Sequence, residues 1–175
     1  MGTFFGCVQD GKREGIFTYP FGYGIIFVTI ERLTPRTGAE ESLGLILIDV
    51  DYFKRINDAF GHQVGDSVLK QVAGCIRSVI RANDIAGHFG GDEFIVLLPG
   101  ADARTTAAVA GRLEKKVRDD EVLAGRGVTL SIGGTSHVIT SEDYDSELML
   151  KQADDALYRA KEAGRNLIVM YGEKE

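Results

Sequence analysis

The stretch HFGGDEFIVLLPG, residues 88–100, contains the signals that decide how this sequence folds. It places two glycines, Gly90 and Gly91, and then two carboxylates, Asp92 and Glu93, before an unbroken apolar run. The apolar run predicts a strand buried on both faces. The glycine pair predicts a tight hairpin turn from the preceding strand, because the favoured two-residue turns need positive φ. The two acids therefore lie at the mouth of a buried strand, a position that calls for a functional explanation.

Strands and helices alternate on either side of this stretch. The run LGLILIDV at 43–50 predicts a second strand buried on both faces. Apolar residues at three- and four-residue spacing predict amphipathic helices, several of which end at a glycine. From residue 43 the predicted order is strand, two helices, hairpin, helix, strand, helix, strand. This order predicts an α+β fold with a central, mostly antiparallel sheet flanked by helices, on a βαββαβ core.

Residues 1–41 differ from the rest of the chain. They are rich in glycine and aromatic residues, and GIIFVTIERL at 24–33 is strand-like. We interpret 1–41 as a divergent N-terminal segment that packs on the main domain or serves in dimerisation. The main domain then covers 42–175.

Composition limits the classes of function. A chain of 175 residues suffices for one ordinary domain, and a net charge of −6 argues against a nucleic-acid polymer as partner. No apolar run is long enough to span a bilayer, and no signal peptide is recognisable. Cys7 and Cys75 are too few for a disulfide framework or a zinc cluster. Cys75 falls in an apolar helical pattern, which indicates a buried free thiol and a cytoplasmic protein.

Acidic residues gather at the ends of the two buried strands. If these strands are antiparallel neighbours, Asp49 and Asp51 at the end of one lie beside Asp92 and Glu93 at the start of the other. Like charges repel at short range, and hard divalent cations bind oxygen ligands of this kind. We interpret Asp49 and Asp92 as metal ligands, the alternative being solvated strand-end acids. For Asp51 we favour a helix N-cap over a metal ligand. A carboxylate–metal site beside a turn without side chains suits phosphoryl or nucleotidyl transfer.

Four segments of the sequence resemble those of one known family, in the same order. They are GGDEF at 90–94, DVDYFKRINDAFGHQVGD at 49–66, TLSIG at 129–133 and ADDALYRAKEAGRN at 153–166. The chain from 43 to about 170 resembles the GGDEF family, the diguanylate cyclases. The resemblance implies a palm fold like that of nucleotide cyclases and makes 42–175 the catalytic domain.

The resemblance also implies an activity and its partners. Two GTP are condensed into cyclic di-GMP with release of two pyrophosphates, by a homodimer whose domains face each other in bacterial signalling. The alternative is a catalytically weak GGDEF domain that acts as a receptor for cyclic di-GMP or GTP.

The resemblance assigns roles to individual residues around the substrate. Asp49, the backbone carbonyl of Val50 and Asp92 would hold Mg²⁺, with Mn²⁺ as an alternative. Asp92 or Glu93 would accept the proton of the ribose 3'-hydroxyl. The two hairpin glycines, Gly90 and Gly91, would let the nucleotide pass over the backbone.

Two further groups of residues are assigned to the ends of the nucleotide. Asn57 and Asp66 would bind the guanine: a carboxylate accepts hydrogen bonds from its N1 and N2 protons, and an amide can bind the remaining edge. By itself Asn57 would be an ordinary turn residue. His62 would help to shape the pocket, the alternative being a hydrogen bond at the start of a helix. The phosphates would contact four residues: the side chains of Lys161 and Arg165 and the backbone amides around Phe53 and Lys54. Favourable charge at a helix C-terminus is a second explanation for Lys161.

RAND at 81–84 resembles the RxxD site at which the product inhibits family members. Arg81 and Asp84 would bind cyclic di-GMP there, and Arg112 on the following helix would complete the site. The alternative is an ordinary capping pattern at a helix end. Product bound at this site would hold two domains apart and inhibit the enzyme.

Two features depart from the family pattern. His88 replaces an arginine two residues before the first signature glycine, so a contact there becomes weaker or pH-dependent. ERLTPRTGAEES at 31–42 resembles the family's opening segment with a shortened helix. No sensor, receiver or coiled coil is recognisable in the sequence. We therefore expect either a fragment of a larger, membrane-attached protein or a small protein that dimerises through its N-terminal strand.

Overall fold

The apolar run that ends at Asp49 forms a central strand of a seven-stranded sheet in the computed structural model, which describes residues 2–5, 16–19, 41–139 and 145–172. The strands are β1 Gly2–Phe5, β2 Ile16–Tyr19, β3 Glu41–Val50, β4 Ile85–Gly90, β5 Glu93–Pro99, β6 Leu130–Ile139 and β7 Ile168–Met170. The helices are α1 Phe53–Phe60, α2 His62–Val79, α3 Ala103–Arg118, α4 Glu121–Ala124 and α5 Ser146–Glu162.

The sheet order is β2-β1-β4-β5-β3-β6-β7. All neighbouring strands are antiparallel except β6 and β7, which are parallel. The predicted α+β class and the predicted order of elements from residue 43 are confirmed. The sequence pattern missed the short helix α4 and the pairing of β1 with β4. The strand-like stretch at 24–33 lies outside the described residues.

Strand β3 is buried on both faces because helices cover both sides of the sheet. Its residues Ile46, Ile48 and Val50 belong to a core that includes residues of α2 and α3. The alternate residues of β3 belong to a second core that includes residues of α5; they are Leu43, Leu45 and Leu47. This double burial explains why the run at 43–50 is apolar without alternation.

The hairpin between β4 and β5 differs from the prediction in its turn. Gly90 still belongs to β4, the register shifts between His88 and Gly90, and the turn residues are Gly91 and Asp92. Only Gly91, with φ 51°, needs the left-handed backbone that favours glycine. The irregularity in β4 moves the turn by one residue, so Asp92 lies in the turn itself.

Helix α5 packs with its backbone directly against β6. A Cβ placed on Gly133 would lie 2.2 Å from the amide nitrogen of Leu157 and 2.3 Å from the carbonyl oxygen of Ala153. Gly133 thus permits a close helix–sheet contact that brings the C-terminal end of α5 to the rim of the sheet. Among the described residues, no helix is both long and apolar enough to cross a membrane.

Candidate active site

The acids of β3 and β5 meet at one rim of the sheet. Asp49 lies opposite Glu93 in the antiparallel register, and the Val50 amide donates a 3.1 Å hydrogen bond to the carbonyl oxygen of Asp92. That bond ties the turn to the end of β3. The structure therefore brings together Asp49, Asp92 and Glu93, as the sequence pattern predicted from antiparallel pairing. The cause is the register of two adjacent strands.

Burial makes the charges of this cluster costly. Burial raises the pKa of Asp49, and the charges of Asp92 and Asp51 raise it further, against the opposing effect of Lys161. Burial also raises the pKa of Glu93; Lys161 opposes this shift, and Asp49 and Asp92 add to it. A cation placed between these carboxylates would relieve both effects.

The available ligands are hard oxygen donors. Within the part of the chain that the structure describes, no three acidic, histidine or cysteine side chains form a ready-made metal cluster. The predicted set of two carboxylates and one backbone carbonyl does not require such a cluster, and oxygen-only ligation suits Mg²⁺ or Mn²⁺. The donor chemistry therefore fits the predicted ion.

Lys161 reaches the acid cluster from the last turn of α5. Its Nζ donates a 2.6 Å hydrogen bond to Oδ2 of Asp49, and both side chains are largely shielded from solvent. The sequence pattern assigned this lysine to the phosphates. In the structure its ammonium group lies at a predicted metal ligand, so it could contact both the acids and a triphosphate bound beside them.

Asp51 does not cap a helix, so that interpretation was wrong. The residue that precedes α1 is Tyr52, in left-handed conformation, and no side chain caps the helix. Asp51 is instead buried and accepts hydrogen bonds from the hydroxyls of Thr129 and Ser131 and from the amide of Asn166. The two carboxylate oxygens of Asp51 face β6 and the chain after α5, so the side chain points away from the start of α1.

The predicted guanine residues lie on two consecutive helices that meet at Gly61. Asn57 of α1 packs against Gly65 of α2, where an added Cβ would lie 1.9 Å from its Oδ1. That Oδ1 is buried and has no hydrogen-bond partner among the described residues. His62 and Asp66 are exposed in the first turns of α2. The exposed Asp66 carboxylate offers acceptors for the N–H groups of a guanine, whereas the Asn57 side chain must move before a base can reach its buried Oδ1.

The predicted phosphate contacts surround the start of α1. No side chain caps this helix, so the amides of Phe53 and Lys54 in its first turn can donate to a ligand. The Arg165 guanidinium lies 4.8 Å from the ring centre of Tyr52, and that of Arg55 lies 4.5 Å from it. Uncapped amides and two guanidinium groups form a setting that attracts phosphate.

Tyr52 and Arg55 escaped the sequence analysis, as did Thr129 and Ser131. The signal for the last two was the alternation of hydroxyl residues in TLSIG at the start of β6. Only the burial of Asp51 opposite them gives that alternation a meaning.

The predicted product site lies at the end of α2. The Arg81 amide donates a 2.6 Å hydrogen bond to Oδ2 of Asp84, and the Asp84 amide donates to the Arg81 carbonyl oxygen. Arg112 on α3 donates to the carbonyl oxygen of Val79. The structure thus gathers Arg81, Asp84 and Arg112 around one turn. The Asp84 carboxylate also closes that turn, as the capping alternative predicts.

His88 contacts the hairpin turn between β4 and β5. Its Nε2 donates to the Gly91 carbonyl oxygen at 2.7 Å, because a carbonyl can only accept. Its ring packs on Phe94 with ring centres 4.9 Å apart. The histidine therefore holds the turn that carries Asp92.

Comparison with known proteins matches the chain to one family. A family model described as "Diguanylate cyclase, GGDEF domain" matches residues 26–167. Diguanylate cyclase A of Treponema denticola is 41% identical over 134 residues, which are 75% of this chain and 36% of that protein. The response regulator PleD of Caulobacter vibrioides is 37% identical over 134 residues, 74% of this chain and 29% of that protein. The chain thus spans about a third of the length of these relatives.

Solved structures show the same fold. The active GGEEF domain of a diguanylate cyclase from Vibrio cholerae superposes with a TM-score of 0.70 at 32% identity, covering 86% of this chain and 92% of that one. The GGDEF domain of DgcB from Caulobacter crescentus, solved in complex with c-di-GMP, gives 0.67 at 27% identity, covering 76% and 80%. The predicted palm-like cyclase fold is confirmed.

Proposed function

The chain belongs to the GGDEF family, and from this premise we propose that it is a diguanylate cyclase that condenses two GTP into cyclic di-GMP. The observation that carries the proposal is the rim at which Asp49, Asp92 and Glu93 meet beside Lys161. Carboxylates and a lysine gathered at one point meet the needs of nucleotidyl transfer to a triphosphate. GTP is a cytoplasmic metabolite, so we place the reaction in the bacterial cytoplasm.

Each residue of the rim has a part in the transfer. Asp49, Asp92 and the Val50 carbonyl would hold Mg²⁺ or Mn²⁺, which when bound neutralises phosphate charge and acidifies the ribose 3'-hydroxyl. The 3'-oxygen forms a bond to the α-phosphorus of the opposite GTP, and the bond from that phosphorus to pyrophosphate breaks. The proton passes to Asp92 or Glu93. Burial raises the pKa of Glu93, which makes its ionised carboxylate a stronger base than that of an ordinary solvated glutamate.

The remaining residues bind the ends of the nucleotide. The exposed Asp66 carboxylate accepts hydrogen bonds from the guanine N–H groups, the Asn57 amide binds the remaining edge once its side chain has turned out of its buried position, and His62 borders them. Arg165, Lys161 and the first amides of α1 receive the β- and γ-phosphates. The open space at Gly90 and Gly91 leaves room for the sugar and the α-phosphate.

The reaction needs two copies of the domain, since each holds one GTP. We propose a homodimer with the two rims facing, and inhibition by cyclic di-GMP bound at Arg81, Asp84 and Arg112. Support for the second proposal comes from the gathering of these residues around one turn.

One assay tests the activity. Purified chain is incubated with GTP and Mg²⁺ at several protein concentrations, and pyrophosphate and cyclic dinucleotide are separated by chromatography. We expect specific activity to rise with protein concentration, since the active species is a dimer. Asp92→Asn should lower turnover about 100-fold or more. Turnover that is unchanged in this variant would refute the assignment of the site.

The same assay separates the receptor alternative. The chain would be a receptor, and not a cyclase, if it bound cyclic di-GMP or GTP tightly without turnover at every protein concentration and with either Mg²⁺ or Mn²⁺.

A further inference from the structure

We infer that Asp51 is a positioning residue, whose buried carboxylate holds the loop that presents Arg165 to the triphosphate. The inference rests on the proposed function and extends it to a residue that does not itself touch the substrate. Asp51 is 3% exposed, which leaves no route for direct contact with GTP.

The two oxygens of Asp51 bind different parts of the chain. Oδ1 accepts a 2.6 Å hydrogen bond from the Ser131 hydroxyl in β6. Oδ2 accepts from the Thr129 hydroxyl at 2.7 Å and from the Asn166 amide at 3.0 Å. The Asp51 amide also donates to the Thr129 carbonyl oxygen at 3.0 Å. One carboxylate thus joins the end of β3, the start of β6 and the loop between α5 and β7.

That loop has a conformation which needs an external tie. Gly164, Arg165 and Asn166 have φ values of 119°, 65° and 49°, so three consecutive residues have positive φ. Arginine pays an energetic penalty in this region and asparagine a smaller one, and such residues persist only where surrounding contacts hold them. Backbone bonds tie the loop to α5, from the Arg165 amide to the Ala160 carbonyl oxygen at 3.0 Å, and to β6, from the Ile132 amide to the Leu167 carbonyl oxygen at 2.9 Å. The bond from the Asn166 amide to Asp51 joins the residue between them to the end of β3.

The position of Arg165 follows from the two neighbours Asp51 and Tyr52. Asp51 anchors the backbone one residue after Arg165, and the Tyr52 ring lies 4.8 Å from its guanidinium group. Tyr52 is itself in left-handed conformation, with φ 54°, directly after Asp51. The Arg165 amide stays bonded to Ala160, so loss of the carboxylate loosens the loop at Asn166 and weakens the hold on the guanidinium without releasing the whole loop.

The variants that test this differ in which acceptor they remove. Asp51→Ala removes both oxygens, whereas Asp51→Asn keeps one oxygen for the Asn166 amide and can donate its NH₂ to Ser131. Ser131→Ala is the matched control, because it deletes a hydroxyl bond to the same carboxylate on the oxygen that does not hold the loop. Thr129→Val deletes the corresponding bond on Oδ2.

The first readout is hydrogen exchange of the Asn166 amide, which requires no activity. We expect Asp51→Ala to accelerate it about tenfold or more, and Asp51→Asn and Ser131→Ala to leave it within about twofold. Unchanged exchange in Asp51→Ala would overturn the inference. If that variant does not fold, Thr129→Val replaces it, because it removes a bond to the oxygen that holds the Asn166 amide, and we expect faster exchange than in Ser131→Ala. Equal exchange in these two variants would then overturn the inference.

The second readout separates binding from chemistry. Asp51→Ala should raise the KM for GTP about tenfold with kcat within about threefold, because it weakens a phosphate contact, whereas the charge of Asp51 is the smallest of the influences on the pKa of Asp49. Asp51→Asn should have a KM for GTP close to that of the wild type. Asp51→Ala should add nothing to the KM of Arg165→Ala, since it acts through Arg165. An equal rise in KM in Ser131→Ala, or additive effects of Asp51→Ala and Arg165→Ala, would reduce Asp51 to a general stabiliser.

Failure of the cyclase proposal would look different. If the wild-type chain makes no cyclic dinucleotide, the proposed function fails, and calorimetric titration of GTP replaces KM as the readout of Arg165. If Asp51→Ala then binds GTP as tightly as the wild type does, the positioning role of Asp51 is overturned.

Discussion

Glu93 illustrates, at the scale of one residue, the conflict between stability and catalysis. Its carboxylate lies in a site partly shielded from water beside Asp49 and Asp92, and burial is the main cause of its raised pKa. A carboxyl whose pKa is higher in the folded than in the unfolded state destabilises the fold once it ionises. The residue proposed to take the proton therefore lowers the stability of the free protein at neutral pH.

Glu93→Gln should have a higher melting temperature than the wild type at pH 7, and the difference should disappear in acid. The stabilising effect of a protonated Glu93 is complete below the ordinary glutamate pKa of 4.5 and disappears as pH rises through the higher folded value. Melting curves at pH 7 and pH 4 measure the difference, while the loss of turnover should be about 100-fold. Asp155→Asn, an exposed acid on α5, is the control and should move neither measurement. A lower melting temperature for Glu93→Gln at pH 7 would contradict the electrostatic argument.

His88 offers a second test at the residue scale. His88→Phe keeps the ring beside Phe94 but removes the bond to the Gly91 carbonyl, so we expect turnover to fall about fivefold. His88→Gln retains a side-chain donor and should keep more activity than His88→Phe. Steady-state turnover of the two variants measures this; equal activity in both would show that the bond has no part in holding the turn.

At the scale of elements, the contact between α5 and β6 decides where Lys161 lies. The helix backbone rests on Gly133 without any side chain between them. Because Lys161 belongs to the last turn of this helix, a displacement of α5 also moves the ammonium group away from Asp49. The element that carries the cation is thus placed by a glycine in a neighbouring strand.

Gly133→Ala should destabilise the fold by about 1–3 kcal/mol, because its Cβ would lie 2.2 Å from backbone atoms that cannot move without the helix. Denaturant unfolding measures the change. Gly74→Ala in α2 is the matched control: nothing lies within 4 Å of the new Cβ, and the replacement should stabilise the fold by up to about 1 kcal/mol. A stable Gly133→Ala protein with normal turnover would show that the contact is not decisive.

At the scale of the whole molecule, the residues proposed for catalysis and those proposed for product inhibition occupy different parts of the domain. The acids lie at the rim formed by β3 and β5, whereas Arg81, Asp84 and Arg112 surround the end of α2. Regulation through the second set can therefore change the arrangement of two domains without altering the acids of either.

Arg81→Ala should relieve inhibition by cyclic di-GMP and retain most of the turnover. The Arg81 side chain is exposed, and the bonds that close its turn come from its backbone, so the variant should fold. Asp84→Ala is the poorer choice because it also breaks that turn. Initial rates at increasing cyclic di-GMP measure the effect, with Arg126→Ala, another exposed arginine, as control. Inhibition that persists in Arg81→Ala would remove the regulatory proposal.

The sequence by itself determined the kind and order of the elements from residue 43, because hydrophobic periodicity and glycine positions are local properties. It also predicted the convergence of Asp49 with Glu93 on the condition that the two strands pair as antiparallel neighbours, and the structure confirms that pairing. The interpretation of Asp51 as a helix cap was wrong because it also used only local sequence. An aspartate just before a helix has the pattern of an N-cap, and that pattern does not record the distant residues that bind it.

Only the tertiary structure decided the contacts of the site. Asp51 binds partners 78, 80 and 115 residues away, and Lys161 reaches Asp49 across 112 residues. The shift of the hairpin turn to Gly91 and Asp92 depends on the irregular pairing of β4 with β5. These features arise from the packing of distant segments, and no periodicity within one segment records which side chain its neighbour will meet.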